Sequence, residues 1–181
     1  MRSATLPLLL LVTACASAPE PPRQSSGVPL PPQPDFAPPA PQLADFVLVD
    51  KSDRALWLYA KGRAFRRYDG LQFGDAPTGH KRFQGDERTP EGRYTIDYRN
   101  PRSSYHLSLH ISYPNGSDRA YAAQYGRSPG GAIFIHGQPN GLASGHRMAG
   151  DWTDGCIAVS NAEIEELWSL IPDGTPIEIR Q

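Results

Sequence analysis

The chain has 181 residues, 18 of them Lys or Arg and 19 Asp or Glu, for a formal net charge of −1. That length allows one ordinary domain and an extension. With no basic excess and no Lys/Arg run, the sequence lacks the electrostatic footprint of a nucleic-acid binder, and no nucleic-acid partner is expected. Its 19 prolines are many for a folded domain, and they are unevenly placed.

At the amino terminus, Met1-Arg2 is a short basic region and Leu6 to Val12 an apolar run. The run is too short to cross a bilayer as a helix and reads as an export signal. Val12-Thr13-Ala14-Cys15 resembles a bacterial lipobox, which implies cleavage before Cys15 and lipidation of its thiol. Residues 1–14 are then a lipoprotein signal peptide; a plain signal peptide with an incidental cysteine is the simpler alternative. Ala16 follows Cys15, which favours the outer membrane over the inner one. The expected location is periplasmic, on a membrane anchor. Residues 16–43 hold ten prolines, one glycine and three charges. Such a segment cannot bury a core, so residues 15–43 form a lipidated cysteine and an extended tether, with a reach on the order of 80 Å.

The pattern changes at residue 44. Phe46–Val49 and Leu56–Tyr59 are apolar strands around the turn Lys51-Ser52-Asp53-Arg54, and Arg63–Tyr68 is a third strand. Pro77–Gly85 is loop, and His80, Lys81 and Arg82 within it read as a solvated surface. Thr89-Pro90-Glu91-Gly92 is a turn signal. Arg93–Tyr98 and His106–Tyr113 alternate as strands. Asp118–Tyr125 suits a short helix ended by Gly126, with Asp118 as its helix-terminal carboxylate. Gly130-Gly131 open the strand Ala132–Ile135, which delivers His136. After a Gly-rich polar loop, Cys156–Val159 is a short strand. Ser160 and Glu163 spell a capping box for a helix through Leu170, whose Ile164, Leu167 and Trp168 fit one face and which Pro172 stops. Thr175–Ile179 is the closing strand. The expectation is a mainly β domain over residues 44–181, with minor helix, large enough for a single core.

The chemistry sits between His136 and Asn161. With Cys15 lipidated, Cys156 has no partner for an internal disulfide, and a lone thiol in an oxidising compartment is a liability unless it is used. A buried inert cysteine is the bland alternative. A histidine at a strand end, facing the loop that leads to Gly155-Cys156, has the makings of a base for a thiolate nucleophile. Small Gly155 would let backbone N–H groups approach a substrate oxygen as an oxyanion hole. His146, in the same loop, is a rival base. For His110, lining a cleft and serving structure are equal alternatives; for Trp152, so are stacking on substrate and anchoring the loop.

His136-Gly137, a polar spacer and Thr153-Asp154-Gly155-Cys156 resemble the signature of the L,D-transpeptidase catalytic domain family (YkuD type). Thr89-Pro90-Glu91-Gly92-Arg93-Tyr94 resembles the family's Pro-x-Gly turn and strand. Tyr113-Pro114-Asn115 with Asp118, and Asp151-Trp152-Thr153, resemble its YafK-like branch. The likeness covers residues 45 to 181. It implies a β-sandwich-like fold with a few short helices, Cys156 as nucleophile, His136 as general base, and the Gly137 carbonyl orienting the imidazole. It also implies peptidoglycan stem peptides as substrate, a 3–3 cross-link as product, and no metal or organic cofactor; a monomer is expected. Hydrolysis by the same nucleophile, trimming stems or releasing wall-attached proteins, is the rival within enzymes. A non-catalytic wall-binding lipoprotein is the rival outside them. Two positions depart from the family pattern: Asp154 stands where the motif has His, and Ala158 where many relatives have Arg or Asn. A substrate carboxylate must then find another partner, for which Arg147 is the candidate.

Overall fold

The computed structural model describes residues 41–181. The expected export signal, Cys15 and nearly all of the expected tether lie outside the described residues. In chain order the elements are β1 (Phe46–Asp50), β2 (Ala55–Ala60), β3 (Arg63–Asp69), β4 (Gly92–Ser103), β5 (His106–Ile111), α1 (Gly116–Gln124), β6 (Ile133–His136), β7 (Ile157–Ala158), α2 (Asn161–Leu170) and β8 (Thr175–Arg180). β4 runs on to Ser103, well past the expected Tyr98, and pairs with β5 through two register irregularities, the second of which spans Pro101.

The strands form one eight-stranded sheet in the order β3-β2-β1-β8-β4-β5-β6-β7. Alternation along β1 buries Val47 and Val49 on one face, as a half-buried strand requires. β8 pairs parallel to β1 and antiparallel to β4, so the last strand sits mid-sheet. β3 is an edge, and its Arg63, Arg66 and Arg67 are exposed, which discourages pairing with another chain. The opposite edge is not left open. The segment leaving β3 crosses to β7, where Gln72 and Ala158 exchange N–H···O bonds of 3.0 and 2.8 Å. The two faces of the expected sandwich therefore belong to one continuous sheet, bent over until its ends meet.

One apolar cluster fills the bend. It includes Leu56 and Leu58 of β2, Ile96 of β4, Leu109 and Ile111 of β5, Ile135 of β6, Ile177 and Ile179 of β8, and Phe73 beyond β3. Each such side chain contributes about 1.5–3 kcal/mol on burial. α2 packs on β5 and β6 through Ile164, Leu167 and Leu170. Its capping box forms: Ser160 Oγ accepts from the Glu163 N–H at 3.3 Å, and the Glu163 carboxylate accepts from the Ser160 N–H at 2.7 Å. No helix among the described residues is long and apolar enough to cross a membrane.

Candidate active site

β5, β6 and β7 run side by side, with Ser108 opposite His136, Ile135 opposite Ile157, and His136 opposite Ala158. Leu109, Ile135 and Ile157 point into the core and are fully buried. Alternation sends Ser108, Phe134 and His136 to the other face. Continuing the β6–β7 register back one step sets Cys156 opposite Phe134, on that same face and diagonal to His136. Diagonal neighbours on adjacent strands lie within reach of each other for longer side chains such as His. Both side chains line an open cleft of about 1040 Å³, together with Lys81, Glu87, Tyr105 and Trp152.

His136 is buried, and its Nδ1 lies 2.7 Å from the Gly137 carbonyl oxygen. A carbonyl only accepts, so Nδ1 carries the proton and Nε2 of the neutral ring is left as an acceptor. Burial holds the imidazole pKa below its ordinary value, and the bond to Gly137 offsets part of that shift. Tyr105 stacks on the ring at 4.6 Å between centroids, and Trp152 meets it edge-on at 5.5 Å. Gly137 has to be small, because a Cβ there would sit 2.6 Å from Asn161 Oδ1. Tyr105 is a site residue that the sequence did not flag; only its place in the β4–β5 turn, one strand from His136, brings it here.

Cys156 is half-buried, with Sγ 3.5 Å from the Ala132 carbonyl. Burial pushes its thiol up to about 11; the Phe134 N–H and Lys81 pull the other way, and the charge of Asp154 adds to the rise. At neutral pH the pair is therefore a thiol beside a neutral imidazole, not an ion pair. Gly155 has φ +123°, and a Cβ there would lie 2.5 Å from the Arg88 carbonyl oxygen, so the tight turn before the cysteine demands glycine. Its N–H, the expected oxyanion donor, is already committed to Thr153 Oγ1 at 3.2 Å. Thr153 Oγ1 in turn donates to the Cys156 carbonyl at 2.8 Å.

The loop between His136 and Cys156 is pinned from below. Gln138, buried, donates to Val159 O at 2.7 Å and to Gln72 Oε1 at 3.2 Å, and its Oε1 accepts from the Met148 N–H at 2.8 Å. Gln72 Nε2 donates to the carbonyls of Met148 and Gly150. Asp151 makes two 2.7 Å bonds to Arg54 and accepts from the Phe73 N–H; Arg54 holds its carboxyl below the usual range. That bidentate pair sets Trp152 at the cleft.

Four further readings of the sequence can be set against the structure. Arg147 does not line the cleft: it donates to the Gly70 carbonyl at 2.7 Å and lies 3.8 Å from Glu163. His110 also stays off the cleft wall, stacked on Tyr98 at 4.3 Å and bonded to Asp97 at 2.6 Å. His146 is exposed beside the Ser144 carbonyl, away from Cys156. The 80–82 loop is not solvated throughout. Lys81 is only 3% exposed and faces the cleft, and His80 bonds the buried Asp118, which also accepts from Tyr94 and caps α1. Asp154 is exposed on the cleft rim, close to Glu87. Burial and the Asp154 charge raise the pKa of Glu87.

The L,D-transpeptidase catalytic domain profile (YkuD) matches residues 44–179, and the chain belongs to that family. Among curated relatives, it is 28% identical over 131 residues to YafK of Escherichia coli (strain K12), covering 70% of this chain and 46% of that one. The helical cell shape determining protein Pgp2 of Campylobacter jejuni superimposes with a TM-score of 0.61 at 28% identity, over 75% of this chain and 47% of that one. Bd1075 of Bdellovibrio bacteriovorus follows at 0.53 and 25% identity, over 76% and 48%. The chain thus spans about half the length of these relatives.

Proposed function

We propose that the domain is a cysteine-dependent acyltransferase of peptidoglycan stem peptides, an L,D-transpeptidase forming 3–3 cross-links, held in the periplasm by lipid on Cys15. The observation that carries this reading is the placement of Cys156 and His136 on one cleft face of adjacent strands, with His136 Nε2 left as the acceptor by the Nδ1–Gly137 bond. His136 Nε2 takes the thiol proton as Sγ attacks the stem carbonyl that precedes the terminal D-residue. The amide C–N bond breaks, and the proton passes from Nε2 to the leaving amine. The acyl group on Cys156 then moves to a second stem's amine, whose displaced proton returns through His136 to the thiolate. With the Gly155 N–H occupied, the oxyanion falls to the N–H of Cys156 itself, which meets no acceptor among the described residues.

The test is mass spectrometry of muropeptides after incubating sacculi with the protein, wild type beside Cys156→Ala. New 3–3 dimers with the wild type alone establish the transpeptidase. Shortened stems or freed wall proteins without dimers reassign the acyl-enzyme to hydrolysis. An unchanged profile with both proteins leaves a wall-binding lipoprotein.

A further inference from the structure

We propose that Lys81 is the specificity residue that receives the terminal carboxylate of the donor stem in the cleft. The assignment rests on the stem-peptide reading above. Neither the family's position two residues after the cysteine nor the substitute Arg147 supplies a cation to the cleft: position 158 is a fully buried alanine, and Arg147 is turned to Gly70 and Glu163. Lys81 and Arg102 are the cationic side chains on the cleft wall. Arg102 is exposed, so its charge is screened by water. Lys81 is not, since its stem packs toward Gly130, where an added Cβ would lie 3.5 Å from its Cε.

A buried ammonium has three N–H donors and needs acceptors for them. Nζ uses one on Asp86 Oδ1 at 2.9 Å and reaches no second acceptor among the described residues. Asp86 balances its charge but meets only one of its three N–H donors. That carboxylate also accepts from the backbone N–H groups of Arg82 at 2.6 Å, Phe83 at 3.0 Å and Arg88 at 3.2 Å. Its two oxygens are occupied by these amides and by Nζ, and two Lys81 donors remain for the cleft. Glu87 and Asp154, on the same wall, sit against each other; the Lys81 charge acts on Glu87, but neither carboxylate is within ion-pair distance of Lys81. Lys81 is close enough to Cys156 for its charge to act on the thiol. The carboxylate of the leaving residue lies one residue beyond the carbonyl that Cys156 attacks, so a cation beside the nucleophile is where that carboxylate would rest.

The experiment is calorimetric titration of the full chain carrying Cys156→Ala, which cannot turn over. The two ligands are a disaccharide tetrapeptide with a free terminal carboxylate and the same compound as its terminal amide. The carboxylate should bind roughly ten- to a hundred-fold more tightly than the amide, the scale of a charge-assisted hydrogen bond. Adding Lys81→Met should bring the carboxylate down to the amide's level and leave the amide unchanged, while Lys81→Arg should keep part of the preference. Equal affinities for the two ligands with Lys81 in place overturn the assignment, and that comparison needs no variant at position 81 to fold. So does a Lys81→Met loss shared equally by both ligands, which would mark a purely structural lysine. If neither ligand binds, the stem-peptide reading itself falls, and the assignment with it.

Discussion

At the scale of single residues, the site is set by what surrounds the two reacting groups. Cys156 is pushed up to about 11 mainly by burial, with Asp154 adding to the rise. Replacing Asp154 by Asn removes that added push without touching the strands. Alkylation of Cys156 by iodoacetamide at pH 8 should then run up to about fivefold faster, with its pH midpoint lowered, as expected for one exposed charge. An unchanged midpoint would show that the carboxylate points away from the thiol. Gly155 is less forgiving. Any side chain there meets the Arg88 carbonyl at a backbone angle that L-residues avoid. Gly155→Ala should cost about 1–3 kcal/mol in urea denaturation and slow acylation of Cys156 by a β-lactam probe; a variant as stable and reactive as wild type would contradict that geometry.

At the scale of elements, the polar loop between β6 and β7 depends on a buried pair of amides, Gln72 and Gln138. Gln138→Leu strands the Met148 N–H, the Val159 carbonyl and Gln72 Oε1. It should cost about 1–3 kcal/mol and speed amide exchange at Met148, whereas protection there equal to wild type would mean that the loop is held by other contacts. Elements were also what the sequence displayed best. Short apolar runs, and alternation in Arg93–Tyr98 and His106–Tyr113, located the strands, and Ser160 with Glu163 located α2. The His136 and Cys156 blocks were legible because motif residues there fall at the ends of apolar runs. Sheet order was not legible, because nothing local in Thr175–Arg180 says that it lies between β1 and β4. Lys81 was misread for the same kind of reason. Its burial comes from Asp86 and from the wall at Gly130, whereas its neighbours in sequence are turn-like and polar. Tyr105 reaches His136 only through the β5–β6 register.

For the whole molecule, pH acts through two histidines kept neutral by the fold. Burial lowers the pKa of both His136 and His80 from the ordinary 6.5, with Arg82 adding to the effect at His80. Below that value the unfolded chain binds protons that the folded chain refuses, so stability is fully present above pH 6.5 and falls as pH drops beneath it. Melting temperature should be level between pH 8 and 7 and decline from pH 6.5 to 5, with a smaller decline in His136→Gln. A flat profile would contradict the buried-neutral assignment. The position of β8 bears on how the domain comes into being. Because β8 lies between β1 and β4, the half-sheet of β1–β3 and the half-sheet carrying Cys156 share, among the described residues, only the short bridge of Gln72 to Ala158 at the far edge until β8 is added. A ribosome therefore finishes β8 before β1, already paired with β2, can meet its second neighbour, and folding must wait on contacts of high sequence separation, the slow regime for small proteins. Truncation before Thr175 would divide the sheet through its middle, and an acylatable cysteine should emerge only with the complete domain.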